Sequence, residues 1–210
     1  MPRKNTLTRF LTAAMALATF ACATTTFQST WRDPEARPLR LTGRKVVGLF
    51  LSKNPVRRRR AEDAMAREIS ARGAQGVPAY TVLSDEEIKD QDTARGKLDR
   101  LGFSGVVVMR VVGSQTQYAV VEPAFWAGPH YHRFWGGYWG WGWGSVGEPG
   151  YLVADKIVSV ETLVYSLEQD LLVWAGVSRT VDPARIEDFI SELAAAVSKQ
   201  LEKDGLLARS

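Results

Sequence analysis

Two segments of this chain are apolar at almost every position: Lys45–Leu51 (KVVGLFL) and residues 105–112 (GVVVMRVV). A strand with one face in water alternates apolar and polar residues, whereas a run without alternation leaves no polar face for solvent. Each run is therefore expected as a central strand covered on both sides. Between them, Asn54-Pro55 reads as an N-cap followed by a first-turn proline, and Gly73 as a stop. A helix is predicted to run to Arg72, with Ala61, Met65 and Ile69 as its core stripe and Ala64 alongside. A second strand is expected over residues 77–82. Ser84 and Glu87 have capping-box spacing, and Asp92 is placed to cap a helix whose Ala94, Leu98 and Leu101 face inward before Gly102. The predicted order to this point is βαβαβ.

The C-terminal part differs in kind. Residues 156–167 and 171–181 read as two long strands, and the three residues between them, Glu168-Gln169-Asp170, force an antiparallel hairpin. Val158, Val160 and Val164 share one face of the first strand. A last helix is expected to open on Asp182 as cap and Pro183 at the first position. Its stripe is Ile186, Phe189, Ile190, Leu193, Val197 and Leu201, and it ends at Gly205 with Lys199 and Lys203 near the negative end of its dipole. The expected fold is one α/β sandwich domain, a mixed sheet with flanking helices. Its size and composition agree, since 210 residues with 45% apolar and 24% charged suit one ordinary globular domain with appendages and exclude disorder over the whole length.

Residues 1–21 are of another type. Arg3, Lys4 and Arg9 precede an uncharged, mostly apolar run from Phe10 to Phe20, and small residues lead to Cys22. This is a secretory signal pattern, and the run is about half the ~20 residues needed to span a bilayer. The stretch Ala18-Thr19-Phe20-Ala21-Cys22 resembles a bacterial lipobox, with Thr19 where Leu is commoner. In such a motif the cysteine thiol is diacylated and the cysteine becomes the new N-terminus. The alternative, an ordinary signal peptide that happens to contain Cys22, would leave an unpaired thiol in an oxidising compartment. Lipidation at Cys22 is the expectation, with residues 22–30 as an acylated polar tether and the domain over residues 31–210. By analogy with lipoprotein sorting, Ala23 after the cysteine favours the outer membrane, with the domain facing the periplasm. Several acyl chains, at roughly 0.8 kcal/mol per buried methylene, hold a domain at a bilayer.

The succession Trp31-Arg32-Asp33-Pro34, Lys45–Leu51, Arg59-Arg60-Ala61-Glu62-Asp63, Leu171-Leu172-Val173-Trp174 and the closing helix resembles a family of small bacterial lipoproteins that has no assigned activity. More distantly, the layout is similar to the N-terminal domain of TolB and to the outer-membrane lipoprotein activators of penicillin-binding proteins. The resemblance implies a fold and an address in the cell envelope. It carries no active-site residues.

Residues 125–151 (FWAGPHYHRFWGGYWGWGWGSVGEPGY) hold five of the seven Trp, both His and eight of the 18 Gly. Glycine raises the entropy cost of order while large rings reward burial, so a surface insertion between strands is expected. If the backbone is extended, Trp139, Trp141 and Trp143 project from one face, with Trp135 nearby. Three roles stay open for them: folding back over the sheet, binding a protein partner or a glycan, and contact with the membrane interface. Gly142, Gly144 and Gly147 match the dinucleotide fingerprint in letters alone, because Glu148-Pro149-Gly150 cannot begin the required helix. His130 and His132 would point the same way from a strand, and no third ligand stands nearby, so no metal is expected.

Arg57, Arg58, Arg59 and Arg60 occupy the first turn of the first predicted helix, where the dipole disfavours cations. Successive residues are ~100° apart on a helix, so the four cannot share a face. Arg58 and Arg59 can reach Glu62 and Asp63 four residues on. A locally paired helix end and a contact for an anionic lipid or glycan are the two readings.

Chemistry finds little support. The single Cys excludes an internal disulfide or a cysteine zinc site, and there is no Gly-x-Ser-x-Gly, His-Glu-x-x-His or phosphate-binding loop. The 27 Lys and Arg exceed the 23 Asp and Glu by four, but Arg3, Lys4 and Arg9 lie in the leader, so the mature balance is 24 against 23. Nucleic acid loses its main argument as a partner. No cofactor and no catalytic residue are expected, and oligomeric state is left open. The reading is a non-catalytic module, anchored to the membrane by its acyl chains, that binds or positions an envelope protein or peptidoglycan. The alternative is an envelope enzyme acting on peptidoglycan, for example through Asp85 or Glu122.

Overall fold

The computed structural model describes residues 25–116, 156–181 and 186–207. Both apolar runs are central strands. The first is Lys45–Leu51 (β2) and the second extends over Phe103–Thr116 (β4). Around them lie Thr25–Arg32 (β1), Pro55–Ala71 (α1), Gln75–Pro78 (β3), Gln91–Arg100 (α2), Lys156–Ser166 (β5), Leu171–Val181 (β6) and Ile186–Lys203 (α3). The six strands form one open mixed sheet in the order β1-β6-β5-β4-β2-β3. β2 is parallel to β3 and to β4, and the other neighbours are antiparallel. The fold is α/β, as the sequence pattern predicts.

Period-two alternation explains why the central strands are apolar throughout. Val46, Phe50, Val107 and Met109 join one core with Met65 and Ile69 of α1 and Phe189, Leu193 and Val197 of α3. Val47, Leu49, Val106 and Val108 face the other way and meet Ala94 and Leu98 of α2. Helices on opposite faces leave no side of β2 or β4 for water. α1 begins where predicted, with the Asn54 side chain accepting from the amides of Val56 and Arg57 at 3.0 Å each. The reciprocal Ser84–Glu87 bonds of a capping box are present at 2.7 and 3.2 Å. The β5–β6 hairpin closes through Asp170 at φ 54°.

Four expectations shift. The strand expected over residues 77–82 is β3, Gln75–Pro78, followed by a 3-10 turn at Ala79–Thr81. β3 is the edge strand, where Pro78 without an N–H is tolerated and pairing stops. Its early start brings Gly76 against α1, where a Cβ would lie 2.2 Å from the Ala66 carbonyl oxygen. The cap of α2 is Asp90, whose carboxylate accepts from the Thr93 amide at 2.7 Å, and Asp92 falls inside the first turn. Leu101 is 41% exposed, because it lies past the last helical turn where the chain bends through Gly102 at φ 74°.

The largest shift is at the N-terminal edge. Residues 25–30, expected as tether, belong to β1, which pairs antiparallel with β6. The strand was hidden because it is mostly Thr, Ser and Gln. Phe27 packs edge-on against Trp174 at 6.1 Å between ring centres, and the hydroxyls of Thr25 and Thr180 meet at 2.8 Å. In α3 the stripe Phe189, Ile190, Leu193, Val197 and Leu201 is buried. The expected cap at Asp182 and Pro183 lies outside the described residues.

Candidate functional site

Topology reverses at β2. The chain leaves it through α1 to β3 at the edge, then returns through α2 to β4 on the other side. In open α/β sheets the carboxyl ends of strands at such a reversal are where ligands bind. Here the helix that follows β2 opens on the arginine run, and Asp85 follows the turn after β3.

Glu62, on the second turn of α1, is fully buried. One carboxylate oxygen accepts from the Phe50 amide of β2 at 3.3 Å and the other from the Tyr80 amide at 2.8 Å, so Glu62 joins β2 to the turn after β3. Burial pushes its carboxyl up to about 7, against the two amides and the Arg58 guanidinium, which favour the charged form. Arg58 is itself buried, with Nε 3.8 Å from Glu62 and a terminal nitrogen bonded to Asp85. That bond holds the Asp85 carboxyl below its usual range. Arg59 lies over the Tyr80 ring at 5.6 Å, and the Tyr80 hydroxyl donates to Asp63 at 2.8 Å, which raises the phenol above its ordinary value.

The four arginines therefore divide, as the helical period requires. Arg58 turns inward and is a correction to the reading of a four-residue anionic contact, because its guanidinium is taken up by buried and neighbouring carboxylates. Arg57 is half-buried, and Arg59 and Arg60 are exposed. Asp85, considered as an acid for glycan chemistry, serves as the Arg58 partner. The Glu62 oxygens each accept from a backbone amide, so the cluster clamps α1 to β2 and to the turn after β3.

A pH dependence follows. Glu62 binds its proton more tightly in the folded chain than at the ordinary carboxylate value of 4.5. Its contribution is fully present below pH 4.5 and lost as pH rises to about 7. The loss is on the order of 3 kcal/mol. Urea midpoints should fall between pH 5 and pH 7.5 in the native chain, and the fall should flatten in Glu62→Gln. An equally steep fall in the variant would assign the effect to another group.

A second buried pair was missed by the sequence reading. Arg110 on β4 and Glu161 on β5 stand directly opposite, with Arg110 Nε donating to Glu161 Oε2 at 2.7 Å. Its signal was in plain view, a charge of opposite sign in the middle of each of two apolar strands. Among the described residues, no three His, Cys, Asp or Glu side chains are grouped to hold a metal ion. No described helix is long and apolar enough to cross a membrane.

Cys22, Trp135, Trp139, Trp141, Trp143, His130, His132 and Glu122 lie outside the described residues. The sheet register nevertheless places the ends of their segments. Thr25 pairs with Thr180, Thr180 with Val158, Val181 with Ile157, and Lys156 with Thr116. The chain thus enters β1 at the same end of the sheet where β4 ends and β5 begins.

The fold and these clusters define a three-layer α/β domain with an open mixed sheet. No protein-family model matches the chain, and no curated protein does. Among solved structures, the PelC dodecamer from Paraburkholderia phytofirmans is 13% identical, over 89% of this chain and 100% of that one, with a TM-score of 0.49. A point variant of the same PelC matches with a TM-score of 0.48, also at 13% identity, over 89% of this chain and 99% of that one.

Proposed function

We propose that this chain is a lipid-anchored protein of the bacterial cell envelope, an outer-membrane lipoprotein facing the periplasm, whose domain binds or positions another envelope component without catalysis. The observation that carries the reading is the basic, then apolar, leader ending at Ala21-Cys22, in a chain with no other cysteine. The internal use of Arg58, Glu62, Asp85, Arg110 and Glu161 supports the non-catalytic part, since these charges serve one another within the fold. The resemblance to small bacterial lipoproteins points the same way.

Labelling with a fatty acid tests the anchor. The native chain is expected to incorporate label and float with membranes, while Cys22→Ala incorporates none and accumulates as precursor or as a soluble periplasmic form. Label retained by Cys22→Ala would exclude this cysteine as the attachment point. Incubating the domain with purified sacculi tests the rest. Pelleting without released fragments is the result for a peptidoglycan-binding module, and released fragments would replace it with the peptidoglycan-acting enzyme. Neither pelleting nor release would direct the search to an envelope protein.

A further inference from the structure

We propose that the end of the sheet at which β1 begins is the membrane-facing end of the domain, with Val112 and Val181 at the lipid surface. The inference rests on acylation of Cys22 and adds the orientation. Only Ala23 and Thr24 separate Cys22 from Thr25, the first residue of β1. Three residue steps span at most about 11 Å. The eleven-residue strands β5 and β6 are about 36 Å long. A cysteine held in a bilayer therefore brings the Thr25 end of the sheet to the surface, and the tether is too short to let the domain turn end over end.

Exposed apolar side chains favour the same end. The large hydrophobic residues left exposed among the described residues are Val56, Leu101, Val112 and Val181. Val181 pairs with Ile157 one step beyond the Thr25–Thr180 row, and Val112, at the β4 bulge between Val111 and Gly113, falls between the first and second rows inside it. Val56 opens α1 beyond the carboxyl end of β2. Leu101 is at the far end, where its carbonyl accepts from Lys45, the first residue of β2. Lying flat along β1 is disfavoured, because the exposed positions of that edge are Thr26, Gln28, Thr30 and Arg32. A lipid surface meeting the domain along β1 would face those polar side chains first, with Phe27 and Trp31 half-buried beside them, whereas the sheet end presents Val181 with Val112 a little further in.

The test uses the acylated full chain in vesicles of phosphatidylethanolamine and phosphatidylglycerol. Cys22 is the only cysteine, so acylation leaves an introduced cysteine as the single free thiol. Val112→Cys, Val181→Cys and Leu101→Cys are each labelled with an environment-sensitive fluorophore, and quenching by headgroup nitroxide lipids is measured. The expected result is a blue shift and several-fold stronger quenching at 112 and 181 than at 101. Equal quenching at all three positions, or stronger quenching at 101, overturns the orientation. Chains that float while 112 and 181 stay unquenched overturn the orientation and leave the anchor standing. Chains that carry no acyl group and do not float overturn both.

Discussion

Arg110→Ala is expected to destabilise the fold by about 3–5 kcal/mol, because it removes the guanidinium that faces a buried carboxylate. Arg110 is 5% exposed and Glu161 1%, and they face each other across the β4–β5 ladder at the centre of the sheet. Taking two charges out of water is costly, and their attraction at 2.7 Å offsets that cost only while both are present. The double variant Arg110→Met with Glu161→Met removes both charges and keeps comparable side-chain length. It should lose much less stability than the sum of the single changes. Urea unfolding of the four proteins closes a double-mutant cycle. Additive losses would mean that the pair is not coupled and that the arginine acts through its packing alone.

Trp174→Ala should cost a similar amount, about 3–5 kcal/mol, for a different reason. Trp174 is fully buried and among the largest such side chains of the core. Its ring meets Phe27 of β1, and its indole N–H donates to Asp204 at 2.8 Å, just beyond α3. One side chain on β6 therefore ties down the edge strand and the end of the last helix. The fit is close, since a Cβ on Gly176 would approach the Trp174 ring to 2.4 Å. Truncation to Ala leaves a large cavity and frees Phe27, so amide exchange in β1 should accelerate along with the fall in the urea midpoint. Trp174→Phe keeps most of the ring and loses the bond to Asp204, and should cost clearly less. Equal losses for Ala and Phe would assign the effect to the hydrogen bond and not to the packing.

The βαβαβ order was legible because its signals are local. Asn54-Pro55, Gly73 and the Ser84–Glu87 box act within a few residues of themselves, and uninterrupted apolarity in β2 and β4 reports burial on both faces whatever covers them. The cap of α2 moved by two residues, from Asp92 to Asp90, since both carboxylates offer the same chemistry and only the helix start chooses between them. Strand β1 was illegible for the opposite reason. Its stability comes from β6, with Thr25 and Thr180 separated by 155 positions, and Thr, Ser and Gln carry little sign of that distant partner.

The candidate site divides in the same way. Helical geometry alone shows that Arg57 to Arg60 cannot share a face. That Arg58 is the one turned inward depends on where the Ser84–Lys89 turn places Asp85 and where β3 delivers the Tyr80 amide to Glu62. Glu62 lies beside the Ala61–Met65–Ile69 stripe and reads in sequence as an exposed helix acid, yet it is the most shielded carboxylate of the cluster. Sequence by itself determined the elements from β2 onward and most of their buried faces, since periodicity, caps and hydropathy act along the chain. Tertiary structure decided the strand order, the inward arginine and the shared end of Thr25, Val181 and Thr116, because each depends on hydrogen-bonded neighbours far apart in sequence.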